Sequence, residues 1–219
     1  MGTKLLSGIR AIGFDLDGTL YRSSSEMSEW ISEQLIDEVV KKEAGDIVGI
    51  RKEYKKRRDE LGSNTKTLDS FGLVGVDVFR DLWNRLPLEK FVKRDSELVR
   101  QLRELKEKMP IFLISNGRGV EIKKKMKYLE ILPEWFDPFI ACYDYETVKP
   151  DPKSFLMVLD ELKLEPENVL FIGDKIATDI EGAREVGMKT MLVYGESELA
   201  DVSVGTMEEG MEMLLRWFV

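Results

Sequence analysis

The sequence predicts an α/β fold, a doubly wound parallel sheet that carries a small all-helical insertion. Three observations lead there. Five short apolar runs stop at turn or charged residues, as strands buried on both faces do. Segments with apolar residues at helical spacing lie between them, and strands alternating with helices imply parallel pairing with helices on both faces. Residues 22–91 break that rhythm and contain no convincing strand.

In chain order, the first strand is Arg10 to Asp15, which ends at a cluster of carboxylates. In the insertion, Glu29 to Lys42 and Asp46 to Leu61 read as helices, and Val76 to Leu86 as a shorter one closed by Pro87. Arg51, Lys52, Lys55, Lys56, Arg57 and Arg58 crowd the second of these, but Glu53, Asp59 and Glu60 balance them. Such a run reads as a solvated helix face before it reads as a funnel for anions. Tyr54, Phe71, Phe79 and Trp83 read as the insertion's own core rather than as a cleft lining.

After the insertion, Leu98, Leu102 and Leu105 share a helix face, with Asp95 or Ser96 as the N-cap. Strands at Ile111 to Ser115, Phe139 to Cys142, Val169 to Gly173 and Thr190 to Tyr194 follow. The helix faces between them are Ile122, Met126 and Leu129, then Phe155, Val158, Leu159 and Leu162, then Ile180, Ala183 and Val186. Gly187 suits the end of that last helix. A final helix starts at Thr206, where Thr206 and Glu209 have capping-box spacing, and ends near Trp217. Residues 1–21 and 92–219 thus make a Rossmann-like core, and 22–91 a helical cap domain.

Composition removes whole classes of chemistry. The chain has no histidine and one cysteine, Cys142. That excludes Ser-His-Asp and Cys-His catalysis, histidine zinc sites and an intramolecular disulfide. Acid–base work falls to carboxylates, Lys or Tyr. A net charge of -8 argues against a nucleic acid polymer as partner. No apolar run approaches the roughly 20 residues of a membrane span. Met1 to Arg10 lacks an apolar stretch with a cleavage site, so a cytoplasmic location is expected. A monomer or a small homo-oligomer fits equally well.

Four segments carry chemistry, each at the end of a predicted strand. The first is Asp15-Leu16-Asp17-Gly18-Thr19-Leu20, with carboxylates two positions apart and a glycine that permits a close turn. The second is Ser115-Asn116-Gly117, where a hydroxyl and free amides suit a bound phosphate. The third is Lys149 between Val148 and Pro150, just before a helix. The fourth is Gly173-Asp174 with Asp179 five positions after Asp174, oxygen donors of the kind Mg2+ takes. Taken singly, these are an Asp-Gly turn, an Asn-Gly turn, a surface lysine and a helix N-terminal acid. Their occurrence in order, all at carboxyl ends of strands, is what gives them weight.

These motifs, over Arg10 to Tyr21 and Asp95 to Gly195, resemble the haloacid dehalogenase-like hydrolase superfamily, and the insertion resembles the helical cap of one of its large branches. Thr178 stands where the family usually has Asn. The resemblance implies an enzyme in which Asp15 attacks phosphorus to form an aspartyl-phosphate and Asp17 is the general acid and base. Lys149 would neutralise charge between nucleophile and phosphoryl group. Gly18, Ser115, Asn116 and Gly117 would hold phosphate oxygens. Mg2+ would sit on Asp15, the Asp17 carbonyl and Asp174, with Asp179 acting through water or by positioning Lys149. Asp17 favours phosphoryl transfer, since dehalogenase members lack this second acid. The implied partner is a small phosphorylated substrate, over which the cap closes. Asp15 to Tyr21 and Arg57 to Gly62 look like nucleotidase-type members; phosphoglycolate and sugar phosphates stay open. A phosphomutase, or a binding protein that kept the fold without turnover, are the alternatives.

Overall fold

The computed structural model describes residues 7–43 and 45–217. They form two compact units, one from the described parts of Met1–Arg22 and Lys93–Val219, the other Ser23–Val92. The outer ends of the division drawn from sequence, residues 1–6 and 218–219, lie outside the described residues.

The first unit holds a six-stranded, all-parallel sheet in the order β3-β2-β1-β4-β5-β6. The strands are β1 (Ala11–Phe14), β2 (Ile111–Ser115), β3 (Phe136–Ala141), β4 (Val169–Gly173), β5 (Lys189–Val193) and β6 (Val202–Val204). Every residue of β1, β2 and β4 is buried, which is why these strands read as unbroken apolar runs. The chain winds outward from β1 through β2 to β3, then crosses back to place β4 against the other side of β1. The winding reverses between β1 and β4, and in open α/β sheets ligands bind outside the carboxyl ends at such a point.

Two strands depart from expectation. β3 starts at Phe136 rather than Phe139, because Pro138 interrupts the apolar run that marks a strand. Between Ile111 and Leu113 of β2, the β3 partners advance from Phe136 to Phe139, one extra residue that makes a bulge. β6 was not foreseen. It has three residues, all half-buried, and an edge strand that short leaves no pattern.

The second unit is helical throughout: α1 (Ser25–Glu43), α2 (Ile47–Leu61), α3 (Asn64–Ser70), α4 (Gly75–Arg85) and α5 (Leu88–Phe91). The two not foreseen, α3 and α5, are too short to show a helical period. Tyr54 and Phe71 stack at 6.2 Å inside a core with Leu35, Ile36, Val39, Leu68 and Leu82, and Phe79 packs against it. These aromatics are the unit's interior. Much of the basic run is likewise engaged within the unit: Arg51 bonds Glu33, Arg57 bonds Glu53 and lies 4.1 Å over the Phe71 ring, and Arg58 bonds Asn64.

The remaining helices flank the sheet: α6 (Ser96–Lys108), α7 (Gly119–Leu129), α8 (Pro152–Leu162), α9 (Glu181–Glu185) and α10 (Met207–Trp217). Asp95 is the N-cap of α6 and accepts from the Glu97 and Leu98 amides. At α10 the Thr206 hydroxyl accepts from the Glu209 amide, while the Glu209 carboxylate takes the Gly205 amide, one residue before the usual capping-box partner. Among the described residues no helix is long and apolar enough to cross a membrane.

Behind the strand ends, Phe171 of β4 meets Phe155 of α8 edge-on at 5.2 Å and stacks on Phe112 of β2 at 6.2 Å. Phe112 and Phe171 lie so close over β1 that a Cβ on Gly13 would collide with both rings. Gly13→Val is therefore expected to destabilise the fold by about 1–3 kcal/mol through overpacking, measurable by urea unfolding. An unchanged midpoint would mean the rings move aside freely.

Candidate active site

β1 carries the chain directly into Asp15, whose amide bonds the Ile172 carbonyl at 2.9 Å and so keeps the strand register one residue further. Asp15 is only 4% exposed. One carboxylate oxygen, Oδ1, accepts from Lys149 Nζ at 2.7 Å. Thr19 Oγ1 stands 3.3 Å from the other, Oδ2, and 3.3 Å from Asp174 Oδ1; its single proton serves one of them at a time. Burial pushes the Asp15 carboxyl up to about 6, against the opposing pull of Lys149.

Lys149 is also buried, and its ammonium bridges Asp15 Oδ1 and Asp179 Oδ1 at 2.7 Å each. It lies 5.3 Å from the centre of the Phe171 ring, so the aromatic core is its floor. Burial works against the charge, but Asp15 and Asp179 overcome it and hold the ammonium above its ordinary value. The main chain of Lys149 is fixed by Asn116, whose side chain accepts from the Lys149 amide at 2.8 Å and donates to its carbonyl at 3.3 Å. Asn116 was selected from sequence as a phosphate contact. The structure engages its side chain in orienting the lysine, leaving its backbone amide for any other task.

Asp179 is reached through a wide turn. The helix expected around Ile180 opens with a π-helical turn, Ile176–Ile180, before α9. This turn brings Asp179 Oδ2 back onto the Lys175 amide at 3.0 Å. Gly173, ending β4, has no room for a Cβ against the Asp179 side chain. Asp174, next in line, is partly exposed, and burial raises its pKa. Gly18, at φ +101°, packs so tightly on the Asp174 carboxylate that only glycine fits. Asp15, Asp174 and Asp179 each offer an oxygen within 4.8 Å of the others, a donor set suited to a hard cation.

Asp17 occupies a different environment two residues from Asp15. Both its oxygens accept from Lys125 Nζ, at 2.7 and 2.6 Å, and the Tyr21 hydroxyl donates to Oδ1. Burial favours the neutral acid, but Lys125 and then Tyr21 outweigh it and lower the Asp17 pKa below the usual carboxylate value. Its side chain is thus separate from the cluster; its carbonyl faces the cluster and accepts from Lys175 Nζ at 3.2 Å. Ser115 closes β2 with a hydroxyl that is buried and, among the described residues, has no hydrogen-bond partner. A buried orphan of this kind needs a partner from outside the chain or costs stability. Gly117 follows, its carbonyl accepting from the Tyr143 amide at 3.1 Å.

Sequence reasoning thus selected the residues now found at the carboxyl ends of neighbouring strands, and missed Thr19, Lys125 and Lys175. Lys125 lies in a run with Lys123, Lys124 and Lys127. Its one distinguishing signal is phase: it shares the inward face with Ile122, Met126 and Leu129, where a lysine needs a partner.

A model of haloacid dehalogenase-like hydrolases matches residues 9–187. The chain is 28% identical over 191 residues to a phosphoglycolate phosphatase of Aquifex aeolicus, covering 84% of each chain. It is 27% identical over 230 positions to a glyceraldehyde 3-phosphate phosphatase of Pyrococcus furiosus, covering 95% of this chain and 94% of the other. A solved structure, an HAD phosphatase from Thermococcus onnurineus, shares the fold with a TM-score of 0.71 at 24% identity over 94% of this chain and 98% of that one.

Two outcomes follow for stability. The folded chain binds the Asp15 proton more tightly than the unfolded one, since the pKa rises from 3.8 to about 6. That contribution is full below about pH 4 and is lost as pH rises through about 6. In EDTA, urea unfolding should show wild type losing stability relative to Asp15→Asn across that window, with a constant difference above it; parallel curves would contradict the buried-acid account. Lys149→Met strands two buried carboxylates and should cost about 3–5 kcal/mol in the same experiment at neutral pH.

Proposed function

The chain belongs to the haloacid dehalogenase-like hydrolase family, and on that premise we propose that it is a magnesium-dependent phosphatase acting on small phosphate monoesters through an aspartyl-phosphate on Asp15. The supporting observation is a pair of carboxylates two residues apart in opposite environments. Asp15 is buried on Lys149, and Asp17 is held on Lys125 and Tyr21. In this reading Asp15 serves as the nucleophile, and Asp17, outside that cluster, transfers the proton once Lys125 loosens its hold.

In the first step an Asp15 oxygen attacks phosphorus, the bond to the leaving oxygen breaks, and that oxygen takes a proton from Asp17. In the second, Asp17 takes a proton from water as the water oxygen attacks phosphorus, and Asp15 departs as a free carboxylate with phosphate as product. Lys149 offsets the negative charge shared by Asp15 and the phosphoryl group. The Ser115 hydroxyl and the amides of Gly18, Asn116 and Gly117 receive phosphate oxygens. The Asp17 carbonyl, Asp15 and Asp174 are the oxygens that would hold Mg2+, with Asp179 acting through Lys149 or a water. When bound, the ion supplies the positive charge that lets two anions approach each other.

The matched relatives named for phosphoglycolate and for glyceraldehyde 3-phosphate favour short phosphorylated metabolites, which go first on a substrate panel, ahead of nucleotides and sugar phosphates. Release of inorganic phosphate across that panel is expected with Mg2+ and not with EDTA. Asp15→Asn should abolish it, and Asp17→Asn should lower kcat by about 10²–10⁴-fold, the usual span for a lost general acid. Turnover at the wild-type rate in Asp15→Asn would remove the nucleophile assignment; silence of folded wild type over the whole panel would remove the phosphatase.

A further inference from the structure

Among the described residues, Lys175 is the one charged side chain at the cluster to which the mechanism above gives no role. Its ammonium lies 3.2 Å from the Asp17 carbonyl and 3.5 Å from Asp174 Oδ1. Those are two of the three oxygens assigned above to Mg2+. We propose that Lys175 is an internal counter-cation that competes with the metal for these oxygens. This rests on the metal reading of the preceding section and deepens it.

Charge and mobility support the exchange. Asp15, Asp17, Asp174 and Asp179 face the ammoniums of Lys125, Lys149 and Lys175, which leaves one negative charge in excess. Replacing the Lys175 ammonium with a dication cancels it. Of the three lysines, only Lys175 can leave easily. Side-chain exposure is 2% for Lys149 and 10% for Lys125, but 56% for Lys175. The backbone of Lys175 stays fixed meanwhile, its amide on Asp179 Oδ2 at 3.0 Å and its carbonyl accepting from the Asp179 amide at 2.9 Å. The ammonium can therefore swing into solvent with no core to repack, while Asp174 and Asp179 keep their positions. The consequence is a built-in cost on metal affinity and a built-in stabiliser of the metal-free carboxylates.

The test uses Mn2+ as the probe, its free concentration read by electron paramagnetic resonance, on metal-free wild type, Lys175→Met, Lys175→Gln and Asp174→Asn. Thermal melts with and without Mn2+ report folding. Both Lys175 variants should bind Mn2+ at least about tenfold more tightly, since a unit charge a few Å from the dication is removed. Their metal-free forms should melt below wild type, and saturating Mn2+ should close that gap. Asp174→Asn should lose the Mn2+. Equal or weaker binding by the Lys175 variants, with Asp174→Asn still deficient, overturns the competition and leaves the metal site standing. No Mn2+ binding by any form, or full binding by Asp174→Asn, overturns the metal reading and the competition together.

Discussion

The Lys149 ammonium between Asp15 and Asp179 is the interaction on which the first unit's functional end depends. Two carboxylates buried within reach of one lysine repel each other and forgo hydration; only a fixed cation makes them tolerable there. The fold spends several elements on fixing it. β1 supplies Asp15, the turn after β4 supplies Asp179, Asn116 beyond β2 grips the Lys149 main chain, and Phe171 closes the space beneath. Phe171 in turn packs on Phe112 and Phe155, so the aromatic core and the ionic triad are one continuous structure. An ion triad of this depth is weak evidence for stability and better understood as the cost of a site.

The same geometry separates two chemically identical side chains. Asp15 is pushed up to about 6 by burial, whereas Asp17 is pulled below the ordinary value by Lys125 and Tyr21. Divergent environments for paired acids are how one fold assigns different tasks to the same residue type. The assignment carries a condition. While Lys125 holds both Asp17 oxygens, Asp17 is an anion and has no proton to give. In the proposed reaction that grip would have to loosen before Asp17 could act as an acid.

How much of this was legible in the sequence follows from how each feature is encoded. β1, β2 and β4 announce themselves because both of their faces are buried; Asp15 and Asp174 are found by reading off the next residue, and Ser115 as the last residue of β2. β3 was misplaced at its start because Pro138 broke the run, and β6 escaped because three half-buried residues have no pattern. In the site, carboxylates and the Lys-Pro pair stood out against their neighbours, but Lys125 was hidden among lysines and Thr19 looked like part of a turn. The role of the Asn116 side chain depends on a partner 33 positions away and has no local signal. Side chains that bind across the fold are the part a linear pattern cannot hold.

The turn after β4 shows why such cross-fold contacts come as a set. Five charged or polar demands meet there: Asp174 and Asp179 must face the cluster, Lys175 must reach the Asp17 carbonyl, and the Lys175 amide and carbonyl must both be satisfied. The turn is a π turn in which the Glu181 amide reaches back to the Ile176 carbonyl, and within it Asp179 sits against Gly173 and accepts the Lys175 amide. Single π turns recur at functional sites. Here the turn carries Asp179, the second anchor of Lys149, so the irregular helix start and the ionic triad meet in one side chain. Without Asp179, Lys149 would keep one of its two carboxylate partners, and the cation that makes a buried Asp15 carboxylate tolerable would lose half of its anchoring.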